Sequence, residues 1–408
     1  MATVDGARLR DSLLEMARHG ATPAGGVTRL ALSDEDRAGR DLLAAWAREA
    51  GLALRVDDLG TMYARLDGSD PALAPVLVGS HLDSVPLGGK FDGPLGVLTA
   101  LEVVRTMRDA GLRPRRSVEV VNFTNEEGAR FEPAMLASGV LAGRFERDDV
   151  YARRDRAGLA FGDELRRIGY LGSAANRPKA IHAYLELHIE QGPVMEAEGL
   201  PVAAVGGILG IKWLEVTLTG QAQHQGPSPM RTRRDPMVAA ARIVHGLRDM
   251  MLEYEDPAVG GVGRIRAIPG VMGMIPGQVV LGANVRHPTS AGLAELGSRF
   301  GELVRRVAAE ERVEAAIDQL WHVEPTFFDE RLVALVESEI RAQGLPVRRM
   351  TAGAGHDAQY MAQIAPTAMV FVRTVGGMSH VETEAIDWDD ATIAGNVLLG
   401  VVRKLAGA

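Results

Sequence analysis

The order of apolar and polar runs in this chain predicts an α/β fold: a large mixed, mainly parallel sheet with a smaller ferredoxin-like βαββαβ domain inserted into it. Three observations carry that expectation. Strand-like and helix-like runs alternate between residues 75 and 123 at the spacing of a βαβ unit, which makes parallel pairing the natural arrangement. The interval 211–325 changes to the order strand, helix, strand, strand, helix, strand. The 408 residues exceed what one ordinary domain holds, so two domains are expected, 1–210 with 326–408 and the insert 211–325.

Each element has its own local reason. The N-terminus opens a polar, helix-like segment rather than a charged cap followed by an apolar stretch. Ser33-Asp-Glu-Asp36 has the form of a capping box, and the amphipathic run through Leu42, Leu43 and Trp46 stops at Gly51. Strand-like pieces follow at 52–56, 61–66 and 75–79, separated by the turns Asp57-Asp-Leu-Gly60 and Asp67-Gly68. A helix over 95–110, closed by Gly111, leads to the strand Val118–Phe123. The charge clusters at 153–156 and Arg166-Arg167 read as solvated surface. Residues 181–187 read as a strand running into His188, and Thr367–Val372 as another leading through a Gly-Gly loop to Ser379-His380. In the insert, 213–219 alternates, with Leu214, Val216 and Leu218 on one face. Helices over 235–251 and 291–311, with strands at 263–268, 278–286 and 313–320, complete it.

Composition narrows the function classes. A net charge of -8 argues against general nucleic-acid binding and supplies no polybasic membrane anchor. No segment is apolar for long enough to span a bilayer. With 0 cysteines, disulfides are excluded and any metal must be held by nitrogen and oxygen ligands. A cytoplasmic enzyme is the simplest reading.

In open α/β sheets, ligand sites form beyond the carboxyl ends of strands. His81, Asp92, Glu126, Glu127, His188 and His380 are all expected just after a strand. His19, His182, His245 and His322 lack that context and read as structural; His287 beside Pro288 reads as a strand end. Carboxylates are seldom buried unless paired or metal-bound, which singles out Asp92 in Phe-Asp-Gly and Glu127 in Glu-Glu-Gly. Three imidazoles and two carboxylates are too many for one tetrahedral zinc with an open position. They suit two metals with one carboxylate bridging. Asp83 is placed to accept the other N–H of the His81 ring and fix its tautomer. Glu126 is then free to act as general base.

His81-Leu-Asp83, Gly88-Gly-Lys-Phe-Asp92-Gly, Asn125-Glu-Glu-Gly-Ala-Arg-Phe131, His188-Ile-Glu-Gln-Gly-Pro193 and Gly377-Met-Ser-His380 together resemble the metal-dependent M20 peptidase/amidohydrolase superfamily. Within it they resemble the hydantoinase/carbamoylase branch, which includes N-carbamoyl-L-amino acid hydrolases, β-ureidopropionases and allantoate amidohydrolases. The resemblance implies His81, Asp92, Glu127, His188 and His380 as metal ligands, with Asp92 bridging, and Glu126 as the catalytic base. It implies two divalent ions per subunit, Zn or Mn foremost and Co or Ni acceptable. The larger domain is then catalytic, and the insert a lid and dimerisation domain of a homodimer. His224, in Gly220-Gln-Ala-Gln-His224, matches a histidine that reaches the partner subunit's site and steadies the oxyanion. Gln191 matches a residue that contacts the carbamoyl end, and Arg286 one that pairs with a substrate carboxylate. Gly353-Ala-Gly355-His356-Asp357 matches a stretch whose backbone and His356 line the same pocket.

The chain departs from the pattern at four places. Gly273 stands where Asn is common before Ile-Pro-Gly, and Asn284 where Asp is common two residues before Arg286. Ala352 replaces a Ser, and Gln225 a small residue after His224. All four bear on the substrate. The expected activity is hydrolysis of a linear C–N amide or ureido bond, foremost of an N-carbamoyl-L-amino acid. Allantoate, β-ureidopropionate, N-acyl amino acids and dipeptides are the alternatives for the same fold. A non-catalytic metal or small-molecule binding protein is the alternative from another class, against which Glu126 argues.

Overall fold

The computed structural model describes residues 2–408. They divide into two compact units: one takes in the chain to Gly207 together with Phe327–Ala352 and His356–Ala408, the other Ile208–Thr326 with Gly353–Gly355.

The first unit is a mixed α/β layer built on four neighbouring parallel strands, in the order Val118–Phe123, Val76–His81, Ala183–Ile189 and Thr367–Val372. Every residue of these strands is buried. That is why they read as continuous apolar runs rather than alternating ones, as a sheet covered on both faces requires. Met62–Leu66 and Ala53–Val56 extend the sheet antiparallel on one side, and Val202–Ile208 on the other. The helix Pro94–Asp109 starts directly after Gly93, whose φ of +81° and close approach to the His81 ring (2.4 Å from a built Cβ) admit only glycine. Helix and histidine can therefore pack against each other.

Two strands run further than their sequence suggests. They end at His81 and Ile189 rather than at 79 and 187, so His81 and His188 lie inside strands, not after them. Ser80 and His81 pair with Asn122 and Phe123, and His188 with Phe371. Ladder bonding and burial override the poor strand preference of Gly-Ser-His. Arg166 and Arg167 are both exposed, as expected. They close a short helix, Phe161–Arg167, and Arg167 is tied down by Glu164 (3.0 Å) and the Leu32 carbonyl (2.9 Å).

The second unit is a four-stranded antiparallel sheet in the order Glu314–Val323, Gly210–Thr219, Gln278–His287, Val259–Ile268. Helices Pro236–Met251 and Ser290–Glu311 begin at the caps Asp235 and Thr289, whose side chains accept from Met237 N and Gly292 N. Leu214, Val216 and Leu218 meet Val279, Leu281, Ile243, Leu296 and Phe300 in one buried core. Each such side chain contributes about 1.5–3 kcal/mol of transfer free energy. Trp213 and Trp321 pack edge to face, 4.8 Å apart. Among the described residues no helix is long and apolar enough to cross a membrane.

Candidate metal centre

The parallel strands end on one edge of the first unit, and the chemistry-bearing residues collect there. His81 Nδ1 donates to the Asp83 carbonyl (2.9 Å), and His188 Nδ1 to the Ile189 carbonyl (3.0 Å). A carbonyl can only accept, so each ring carries its hydrogen on Nδ1 and turns Nε2 to the site. Both Nε2 atoms are buried and make no hydrogen bond. Asp92 Oδ1 is 3.1 Å from His188 Nε2, close but misaligned for one, and 3.8 Å from His81 Nε2. Its other oxygen, Oδ2, is 3.1 Å from His380 Nε2, which in turn is 3.3 Å from Glu127 Oε2. Two trios thus share Asp92: His81–Asp92–His188 and Asp92–Glu127–His380. In each, one ligand atom per residue lies within 4.8 Å of the others, and each trio could hold a metal ion.

The electrostatics point the same way. Burial opposes ionisation of Asp92, but His188 and His380 outweigh it and hold the carboxyl well below the usual range. Against burial, the Asp92 contact pushes His188 up to about 9, while Asp92 and Glu127 together push His380 up to about 11. Burial takes His81 down to about 4. Burial and Asp92 raise Glu127. Glu126 is raised well above its ordinary value by burial first, then by Asp357, Glu127, Glu186 and Asp83. The crowd of buried carboxylates favours positive charge at this edge of the sheet. A divalent cation would supply that charge. Bare buried Nε2 atoms, carboxylate oxygens and no sulfur make a donor set that fits Zn, Mn, Co or Ni.

Asp83 acts differently from the expectation. Its carbonyl, not its carboxylate, takes the His81 N–H; Oδ1 is 4.0 Å from Nδ1. The carboxylate instead accepts from the backbone N–H groups of Glu126 (3.2 Å) and Glu127 (3.3 Å), fixing the turn that carries both. Glu126 Oε2 lies 3.5 Å from His81 Nε2. Gln191, at φ +62°, donates from Nε2 to Asp92 Oδ2 (2.8 Å). His356 is buried, its ring 4.3 Å from that of His188.

The remaining candidates belong to the second unit. His224 is exposed on the two-residue strand Gln223–His224, paired with Met274–Ile275. Gly226 N–H donates to its Nδ1 (3.0 Å), so the neutral ring carries its hydrogen on Nε2 and is a donor there. Arg286 is half-buried, donates to the Gly353 carbonyl and lies 3.4 Å from Asn284 Oδ1. Burial alone shifts it, downwards, with no carboxylate to raise it. Gly355 stands in the segment Gly353–Gly355 of the same unit. Gly273, at φ +85°, has open space where a side chain would point, and its carbonyl accepts from Gln225 N (2.8 Å). Ala352 is buried in the first unit.

Sequence reasoning missed three partners, of which Glu186 and Glu384 are buried. Glu186 accepts from Ser80 Oγ (2.7 Å), Tyr184 Oη (3.0 Å) and Ala358 N (2.9 Å) behind His188. Ser379 and Glu384 touch Asp92 and its loop. A glutamate inside an apolar strand is itself a signal for Glu186. Nothing local marks Glu384, whose backbone donors Phe91 and Asp92 are 293 and 292 residues away in sequence.

Imidazoles and carboxylates gathered at the carboxyl edge of a parallel sheet are the donor set that metal-dependent hydrolases of the α/β class use. Residues 77–404 match the family described as Peptidase family M20/M25/M40, and the chain belongs to it. It is 44% identical over 403 residues to an N-carbamoyl-L-amino-acid amidohydrolase of Rhizobium meliloti, covering 99% of this chain and 97% of that one. It is 32% identical to an allantoate amidohydrolase of Bacillus subtilis (strain 168), covering 98% and 97%. A crystal structure of an amidase of the hydantoinase/carbamoylase family from Burkholderia vietnamiensis superposes with a TM-score of 0.95 at 44% identity, covering 99% of this chain and 98% of that one.

Proposed function

We propose that this chain is a two-metal amidohydrolase that cleaves the linear C–N bond of an N-carbamoyl-L-amino acid. The observation that carries the reading is Asp92, whose two oxygens face two different trios while the His81 and His188 Nε2 atoms stand bare. His81, Asp92 and His188 would hold one ion and Asp92, Glu127 and His380 the other, with zinc or manganese foremost. Divalent cations held there would supply Lewis acidity toward the scissile carbonyl and toward water.

The protein's own groups do the rest. Glu126, with its basicity raised by burial and neighbouring carboxylates, takes the proton of the attacking water and passes it to the leaving nitrogen. His224, supplied by the partner subunit of a homodimer, donates its Nε2 hydrogen to the carbonyl oxygen as charge builds there, a role worth roughly 3 kcal/mol. Arg286, a guanidinium with no carboxylate of its own, receives the substrate carboxylate. Gln191, beside Asp92, and His356, beside His188, are further substrate-binding candidates, as is Gly355. In this reading 1–210 and 326–408 form the catalytic domain. Residues 211–325 form a ferredoxin-like lid and dimerisation domain, and the enzyme works in the cytoplasm. The allantoate-acting relative, with the open space at Gly273, favours allantoate as the second substrate to try.

Glu126→Gln should keep both metals by elemental analysis and lose turnover by roughly 10²–10⁴-fold. Near-normal activity of that variant would overturn the mechanism. Turnover across N-carbamoyl-L-amino acids, β-ureidopropionate, allantoate and N-acyl amino acids, with Mn and Zn in turn, decides the substrate.

A further inference from the structure

The two loops of the first unit that carry Asp92 and His380, 88–93 and 376–384, are joined by one buried carboxylate that belongs to neither trio. Glu384 Oε1 accepts from the backbone N–H groups of Phe91 (3.0 Å) and Asp92 (3.1 Å). Its Oε2 is 2.8 Å from Ser379 Oγ, and the same hydroxyl reaches Asp92 Oδ2 at 3.1 Å. Gly89 makes room for it: a Cβ there would lie 1.9 Å from Oε1. Ser379 immediately precedes His380, whose φ of +59° is a conformation that a non-glycine residue holds only when its surroundings impose it. Gly376 and Gly377, at +69° and +63°, allow the loop to reach that point. The Glu384–Ser379 contact is the shortest of the restraints on Ser379, next to His380; the others are to Asp92 and Gln191.

We propose that Glu384 is a positioning residue that sets Asp92 against His380, and so fixes the affinity for the second of the two ions. The proposal rests on the two-metal reading given above. His81 and His188 stand in strands that Glu384 does not touch, so the ion held by His81, Asp92 and His188 depends on it least. Gln at 384 can keep the backbone acceptor through its carbonyl and offer its N–H to Ser379. Asp is one methylene too short to hold both loops, and Ala holds neither.

The test is metal affinity, by competition with a chelator and elemental analysis, on the full-length wild type, Glu384→Gln, Glu384→Asp and Glu384→Ala, with thermal melting alongside. Wild type and Glu384→Gln should hold two Mn ions. Glu384→Ala should hold one ion at near wild-type affinity and the second about 10- to 100-fold more weakly, with kcat restored by excess metal. Glu384→Asp should fall between, and if Glu384→Ala fails to fold, the Gln and Asp pair carries the same comparison. Variants that melt lower yet hold both ions with wild-type affinity overturn the proposal, because a merely structural strap predicts that result. So does equal weakening of both ions. A wild type that holds fewer than two ions overturns the two-metal reading itself, and the strap with it.

Discussion

The two trios that share Asp92 stand on different foundations. His81 and His188 are buried in parallel strands, and each ring is aimed by a carbonyl within two residues of it. Glu127 and His380 stand on loops, and the His380 side chain keeps 48% of its surface exposed. In the first trio the backbone ladder does the positioning. In the second, carboxylates do it: Asp83 on the 126–127 turn and Glu384 on the 88–93 loop. Side chains on regular elements are held more tightly than side chains on loops. One site can therefore contain a rigid half and a half that depends on its straps.

The largest test of that difference removes one ligand from each half. His188→Ala should lower turnover on the order of a thousandfold and disturb both ions, because Asp92 loses its strand-borne partner. His380→Ala should leave one tightly held ion and cost about a hundredfold. Elemental analysis and chelator competition on both variants decide the matter. If each variant loses both ions equally, the two halves are one unit and the comparison fails.

A second contrast separates the units. The first holds all the candidate ligands; the second offers a donor and a guanidinium but no trio. Arg286→Ala should therefore raise KM by about a hundredfold, as loss of a bidentate carboxylate contact implies, and leave metal content at the wild-type level. A change in metal content would show that the division of labour is wrongly drawn.

Asp83 sharpens the picture within the first unit. Asp83→Asn keeps the carbonyl that aims His81 and alters only the carboxylate that receives Glu126 N and Glu127 N. Turnover should fall by about tenfold, with affinity lost at the ion held by Glu127 and His380. If the ion held by His81 weakens instead, the carboxylate is orienting that ring after all.

Much of this was legible in the sequence, and what was not has a common cause. The parallel strands announce themselves as short apolar runs, and His81, Asp92, Glu127, His188 and His380, expected just past their carboxyl ends, do come together there, though His81 and His188 stand inside strands rather than after them. The tautomer of His81 was not legible, because the direction of a carbonyl leaves no trace in residue identity. Nor was Glu384, a glutamate in an unremarkable Thr-Glu-Ala-Ile stretch whose backbone donors, Phe91 and Asp92, lie far back in the chain. The strand ends were misplaced by two residues because cross-strand pairing, not local preference, carries the ladder through Gly-Ser-His.

The smallest prediction concerns a carboxylate whose hydrogen-bond donors include no histidine. Asp57 is as buried as Asp92 and accepts from Leu59 N (2.8 Å), Thr61 N (3.0 Å) and Tyr63 Oη (3.0 Å). Burial, only partly offset by those donors, pushes it up to about 6, whereas Asp92 is held down. A carboxyl raised in the folded state favours folding most when protonated, below its unfolded value near 3.8. That contribution is lost as pH rises through about 6. Asp57→Asn cannot titrate, so any fixed packing cost it carries is the same at every pH. Between about pH 5 and pH 7 the variant should gain about 1 kcal/mol on the wild type in urea unfolding. If the difference between the two proteins stays flat across that range, burial alone does not raise a carboxyl in this fold. The low value at Asp92 would then no longer single out its two imidazoles as the cause.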